Sequence, residues 1–161
     1  MKTVYLSLGS NIGDRAGNIA RAVEALGAHG ARVTRGSSLY ETEPLELRQQ
    51  PWFLNCVVEA ETDLMPRQLM NALLEIEREM GRTRRVPKGP RVIDIDILFF
   101  GESVVRTAEL EIPHPRMAER RFVLVPFAEI SPEARHPVLK KTVAELLVET
   151  PDRSEVRRWQ K

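Results

Sequence analysis

The sequence predicts an α+β fold with the element order strand, helix, strand, strand, helix, strand. Three observations carry this. β-rich runs stand at 3–8, 33–42, 53–62 and 91–101. Two segments between them carry apolar residues at helical spacing. Glycines and prolines fall at the junctions. That order is the split β-α-β arrangement of a ferredoxin-like βαββαβ core. It puts helices on one sheet face and leaves the C-terminal part to cover part of the other.

TVYLSL at 3–8 alternates and is rich in strand formers. LGSNIGDR follows as a turn, and its asparagine and aspartate can cap the next helix. Ile19, Val23 and Leu26 then repeat at helical spacing, and Gly27 and Gly30 fit the helix end. A strand at 33–42 and a loop with Pro44 and Pro51 lead to the strand FLNCVVEAET. Pro66 can open a second helix, Leu69, Leu73, Ile76 and Met80 form its apolar stripe, and Gly81 fits its stop. After the strand RVIDIDILFFG, the stretch IPHPRMAERRFVLVPFAEISP holds four prolines and reads as loop with short turns. TVAELLVE at 142–149 suggests a late helix.

The 161 residues fit one domain spanning 1–161, long enough for a core without disulfides. The single cysteine, Cys56, excludes an internal disulfide and fits a reducing compartment. The first residues read as a strand and not as a signal peptide, and no apolar run reaches the ~20 residues of a membrane span. A cytoplasmic protein is expected. The net charge is +1, which argues against a polyanion binder. Yet Arg82, Arg84, Arg85, Lys88 and Arg91 cluster without an acid among them, and Arg116, Arg120 and Arg121 form a second group. Such clusters on a near-neutral chain ask for a local anion.

GPRVIDIDILFFG is the most informative stretch. In a strand, residues two apart share a face. Val92, Asp94, Asp96 and Leu98 then share one face, and Ile93, Ile95, Ile97 and Phe99 form an apolar core face. On spacing alone, a solvated outer face is the commoner explanation for two aspartates so placed. The basic loop beside them shifts the weight. Paired carboxylates repel, and a divalent cation relieves that cost by its charge. Hard oxygen ligands favour Mg²⁺, which usually adds substrate phosphates to its shell. Carboxylates beside arginines suit phosphoryl transfer. Asn55, in an apolar strand, needs hydrogen-bond partners if buried. His114, Arg116 and Arg120 suit a phosphate or ribose. Glu77 borders the second helix's stripe, where a solvated helix residue is the plainer reading. LGSNIGD lacks the lysine of a phosphate loop and reads as structural.

SLGSNIGDR, YETEP at 40–44, FLN at 53–55, GPRVIDIDILFFG and IPHPRMAERRFVLVPFAEISP together resemble the 6-hydroxymethyl-7,8-dihydropterin pyrophosphokinases of folate biosynthesis. The resemblance runs in order over nearly the whole chain. It implies a ferredoxin-like fold in three αβα layers. It implies transfer of pyrophosphate from ATP to the pterin's hydroxymethyl oxygen, with AMP leaving, in a monomer. It implies two Mg²⁺ ions bound with ATP by Asp94 and Asp96, and catalytic roles for Arg82 and Arg91. For the pterin it points to Asn55, Phe53, Phe122 and backbone groups at Thr42 and Leu45. For ATP it points to Glu77, Arg82, Arg84, Lys88, Arg91, His114 and Arg120. No side chain stands out as a general base. Four positions depart from the family pattern: Lys88 stands where many relatives have an aromatic residue, Glu43 where proline is frequent, Leu74 where some members have glutamine, and Phe53 in place of a tyrosine. The competing reading from another class is a non-catalytic ferredoxin-like module that binds nucleic acid through the basic loop.

Overall fold

A computed structural model describes residues 1–44, 49–81 and 91–160. Strand β1 (Lys2–Ser10) and strand β4 (Phe53–Thr62) form the centre of an antiparallel sheet. Strand β5 (Asp94–Phe100) pairs with the free side of β1. Strands β2 (Ala31–Gly36) and β3 (Tyr40–Thr42) lie one after the other along the other side of β4. Strand β8 (Val156–Arg158) adds to β3, giving the order β5-β1-β4-β3-β8. A separate hairpin joins β6 (Val105–Arg106) and β7 (Glu111–Ile112).

Helices cover both faces. Helix α1 (Arg15–Ala28) starts where the Asp14 carboxylate accepts the Gly17 N–H at 3.1 Å. Helix α2 (Pro66–Glu79) has proline at its first position and ends before Gly81, whose φ of 87° suits a residue without a Cβ. Ile19, Ala22 and Leu26 of α1 and Leu69, Leu73 and Ile76 of α2 bury against Val4, Leu6 and Leu8 of β1. Each of the leucine, isoleucine and valine side chains among them contributes about 1.5–3 kcal/mol by leaving water. On the opposite face, helix α3 (Arg121–Ile130) and helix α4 (Val143–Glu149) pack over Val57, Leu98 and Phe99. Phe127 stacks 4.7 Å from Tyr5 and 5.2 Å from Phe99.

The structure corrects three expectations about the elements. The strand expected over 33–42 is two strands, because Ser37 bonds the Val57 backbone through both its N–H and its hydroxyl. The segment expected as loop contains α3, with Pro126 inside it. An interior proline costs ~3 kcal/mol. Burial of Val123, Leu124 and Phe127 over the sheet outweighs that cost. Strand β5 begins at Asp94, three residues later than expected, and carries a bulge: Leu6 opposes Ile97 while Tyr5 opposes Phe99. Leu98 is the extra residue, so Phe99 packs with the α3 face and Phe100 takes its expected place on the other. Val23, partly buried, packs against the same core as Ile19 and Leu26, with Ala22 fully buried beside it. Among the described residues, no helix is long and apolar enough to cross a membrane.

Candidate active site

The antiparallel register assembles the site. Asp94 lies opposite Gly9 and Asp96 opposite Ser7 on β5 and β1. Gly9 in turn lies opposite Asn55 on β4, and Asn55 opposite Tyr40 on β3. α3 and α4 cover only one end of this sheet face, where Val57 and Phe99 sit. The other end is an open cavity of about 470 Å³ whose lining includes Gly9, Thr42, Phe53, Asn55, Asp94 and Phe122. Arg91, Asp96, Arg116 and Arg120 also line it.

Asn55 is 4% exposed. Its Nδ2–H donates to Thr42 Oγ1 at 2.6 Å, which fixes the amide's orientation. A Cβ on Gly9 would stand 2.4 Å from Asn55 Oδ1, so glycine is what lets the amide lie flat over β1. The Arg120 guanidinium sits 5.5 Å from the Phe122 ring centroid. Asn11 does not cap α1, as the sequence suggested. It is 1% exposed, its Oδ1 accepts the Arg91 N–H at 2.6 Å, and its Nδ2–H groups donate to Gln50 Oε1 and Pro51 O. It thereby ties the start of the β5 segment to the chain entering β4.

A second cavity of about 460 Å³ opens on the other side of the two aspartates. Met70, Leu73, Leu74 and Glu77 of α2 form one wall, and the β6–β7 connection with His114 the other. Asp94 and Asp96 line both cavities. Glu77 is 3% exposed, not a solvated helix residue, and its carboxylate accepts the Ile95 N–H at 2.7 Å. His114 N–H donates to Leu98 O at 3.1 Å, so the bulge's carbonyl anchors it. Its Nδ1 accepts the Arg116 N–H at 3.2 Å. Burial, then the charges of Arg120 and Arg116, push the imidazole down to about 4. Cys56 lies in the core, and burial pushes its thiol up to about 12, which leaves it unreactive.

The structure therefore gathers Asp94, Asp96, Arg91, Thr42, Phe53, Asn55, Phe122 and Arg120 at the first cavity, and Glu77 and His114 at the second. Arg120, expected with ATP, lines the first cavity. Leu45, Arg82, Arg84, Arg85 and Lys88 lie outside the described residues. The sequence reading missed Ser7, Gly9, Gln50 and Glu119, which the first cavity also includes. The first two were reachable, since any strand paired with β5 must place its own alternate residues beside the aspartates.

A model of the family described as 7,8-dihydro-6-hydroxymethylpterin-pyrophosphokinase matches residues 5–132. The chain belongs to that family. The 2-amino-4-hydroxy-6-hydroxymethyldihydropteridine pyrophosphokinase of Bacillus subtilis is 50% identical over 127 residues, covering 78% of this chain and 76% of the relative. The pyrophosphokinase of the same name from Aquifex aeolicus is 41% identical and covers 90% of each chain. A folic acid synthesis protein of Pneumocystis carinii is 44% identical over 89% of this chain, which spans 19% of that longer protein. Among solved structures, an HPPK-DHPS crystallised in complex with substrates aligns with a TM-score of 0.72 at 16% identity, over 91% of this chain and 43% of that one. The wild-type Plasmodium falciparum HPPK-DHPS with pteroate aligns with a TM-score of 0.74 at 18% identity, over 92% of this chain and 42% of that one. These structural likenesses bear on the fold.

Proposed function

We propose that this chain transfers pyrophosphate from ATP to the hydroxymethyl group of 6-hydroxymethyl-7,8-dihydropterin, giving AMP and the pterin diphosphate, a step of folate biosynthesis. One observation carries the reading beyond family membership: two cavities of different lining meet at Asp94 and Asp96. A reaction joining two substrates needs such a junction. The first cavity suits a flat heterocycle. Phe53 and Phe122 offer aromatic faces, and the fixed Asn55 amide presents a donor–acceptor edge that would read the pyrimidine part of the ring. The second cavity suits a nucleoside, with an apolar helix wall and polar groups at Glu77 and His114.

At the junction, Asp94 and Asp96 would hold two Mg²⁺ ions, which when bound neutralise and orient the phosphates. The residues fit: hard carboxylate oxygens stand on one strand face, and a shell of one or two carboxylates completed by phosphate is the usual Mg²⁺ arrangement. Arg91, with Arg82 from the basic segment, would stabilise charge that develops as the α–β phosphate bond breaks, an effect worth roughly 3–4 kcal/mol per donor. Arg120 and Arg116 add positive potential at the same mouth. His114, held neutral, would donate from Nε2 to a ribose or phosphate oxygen. Arg84 and Lys88 belong to this reading as phosphate contacts, and Leu45 as a backbone pterin contact. The strand order supports a ferredoxin-like core in three layers. The nucleic-acid-binding alternative has no comparable support, because Arg91, Arg116 and Arg120 line a cavity together with Asp94 and Asp96.

The test is product identity. Purified protein, ATP, Mg²⁺ and 6-hydroxymethyl-7,8-dihydropterin should yield AMP and pyrophosphorylated pterin in equal amounts. ADP as the nucleotide product, or no turnover, would overturn the assignment.

A further inference from the structure

The family match ends at residue 132, yet the chain beyond α4 returns to the segments that carry the first cavity's lining residues. Residues 152–158 join two of those segments. At the α3 wall, Asp152 Oδ2 accepts the Arg121 N–H at 2.8 Å, and Ser154 O accepts from Arg121 Nε at 3.1 Å. Arg121 lies between Arg120 and Phe122, both of which line the cavity. At the sheet wall, β8 pairs with β3 so that Val156 opposes Thr42. Glu43 N–H donates to Glu155 O at 3.3 Å, and Glu155 N–H donates to Glu43 Oε1 at 2.8 Å. Arg157 Nη2 donates to Glu41 Oε1 at 2.8 Å, and its guanidinium lies 4.9 Å from the centroid of the Trp52 ring. Arg15 Nη1 completes the group by donating to Glu41 Oε2 and Trp52 O.

We propose that this strap sets the spacing between the pterin cavity's walls, and that Glu43 and Arg157 are its positioning residues. The inference rests on the pterin reading above. Two physical points support it. A proline at 43 would rigidify the segment through its fixed φ but would lack a backbone N–H. Glu43 uses both its N–H and its carboxylate to hold the strap, so the strap supplies by pairing the order a ring would supply by covalent geometry. Second, Thr42 is the hinge through which the strap reaches substrate: it opposes Val156 on one side and Phe53 on the other, and its hydroxyl holds the Asn55 amide. A shift of β3 therefore moves the group that reads the pterin edge. The Arg157 side chain is 58% exposed. Its partner Glu41 is 19% exposed, but an ion pair with one arm in solvent adds little to stability, so the loss of Arg157 reads out chiefly in pocket geometry.

The experiment compares Arg157→Ala and Glu43→Ala with Glu43→Gln, which keeps an acceptor and the N–H. Both alanine variants should raise the pterin KM at least fivefold while the ATP KM stays within twofold and Tm within a few degrees. Glu43→Gln should restore most of the pterin KM. Fluorescence titration of pterin alone should show the same loss of affinity. Equal rises in both KM values with a falling Tm would mean a merely structural strap, and an unchanged pterin KM would overturn the proposal outright. Pterin binding by the wild-type chain separates this inference from the function. Binding without AMP formation would sink the reaction but leave the strap testable by titration. Absence of binding would sink both.

Discussion

His114 shows how one side chain takes its chemistry from its neighbours. Its Nδ1 accepts a backbone N–H, so the proton of the neutral ring sits on Nε2. Burial and the two flanking arginines hold its pKa at about 4. A group whose folded pKa lies below its unfolded value of about 6.5 binds fewer protons when folded. It therefore withdraws stability as pH falls from 6.5 toward 4, and it stays an uncharged donor above that window. An NMR titration of the ring should give a midpoint near 4, and the pH profile of turnover should lack a His114 inflection near 6.5. A midpoint near 6.5 would contradict the placement. His114 was legible as a candidate because it precedes Arg116 and Arg120, but its neutrality was not, since desolvation depends on what folds around it. Asp94 and Asp96 were legible for a simpler reason: a period of two in a strand decides which residues stand together. Helix periodicity alone favours a solvated Glu77, because it cannot tell the edge of an apolar stripe from a buried carboxylate that receives a β-strand N–H; only the family resemblance points it to ATP.

At the scale of elements, Glu59 of β4 ties three of them. It accepts from Arg35 and Thr34 of β2 and from the Tyr5 hydroxyl of β1, which also bonds Ser131 after α3. The Arg35 bond, chiefly, pulls its carboxyl down to about 2 from an ordinary value of 4.5. A depressed carboxylate contributes stability above its unfolded pKa and loses it as pH falls through the folded one. Urea denaturation should accordingly show Glu59→Gln less stable than wild type at pH 6, with the gap shrinking progressively between pH 4.5 and 2. A constant gap would mean that shape, not charge, matters there. β1, β4 and both early helices were legible because their apolar patterns match one period. α3 was not. Pro126 within it and the prolines on either side signal loop locally, and only its burial against the sheet makes a helix with an interior proline worthwhile. β8 was equally hidden: three residues with two arginines become a strand only because β3 presents an open edge.

In the whole molecule, the sheet separates two tasks by its faces. One face is core except where Leu73, Ile95 and Ile97 edge the second cavity; the other is core under α3 and α4 and cavity beyond them. The order of elements, and so the fold class, could be read from the sequence, whereas the division of one face between core and cavity depends on where the C-terminal helices stop. Because Asp94 and Asp96 belong to both cavities, Asp96→Ala should abolish turnover, by at least a thousandfold, while circular dichroism and Tm stay near wild type. Near-normal turnover of that variant at ordinary Mg²⁺ would sink the carboxylate-held metal site.

The extra residue in β5 is a spacer and not a rung. Deleting Leu98 would leave Ile97 opposite Leu6 and Phe99 opposite Tyr5 as neighbours in a regular ladder, so Phe99 would keep its place against the Tyr5 and Phe127 rings. What would go is a buried side chain beneath α3 and the carbonyl that anchors His114. The pairing of β5 with β1 can spare that residue; the wall of the second cavity cannot.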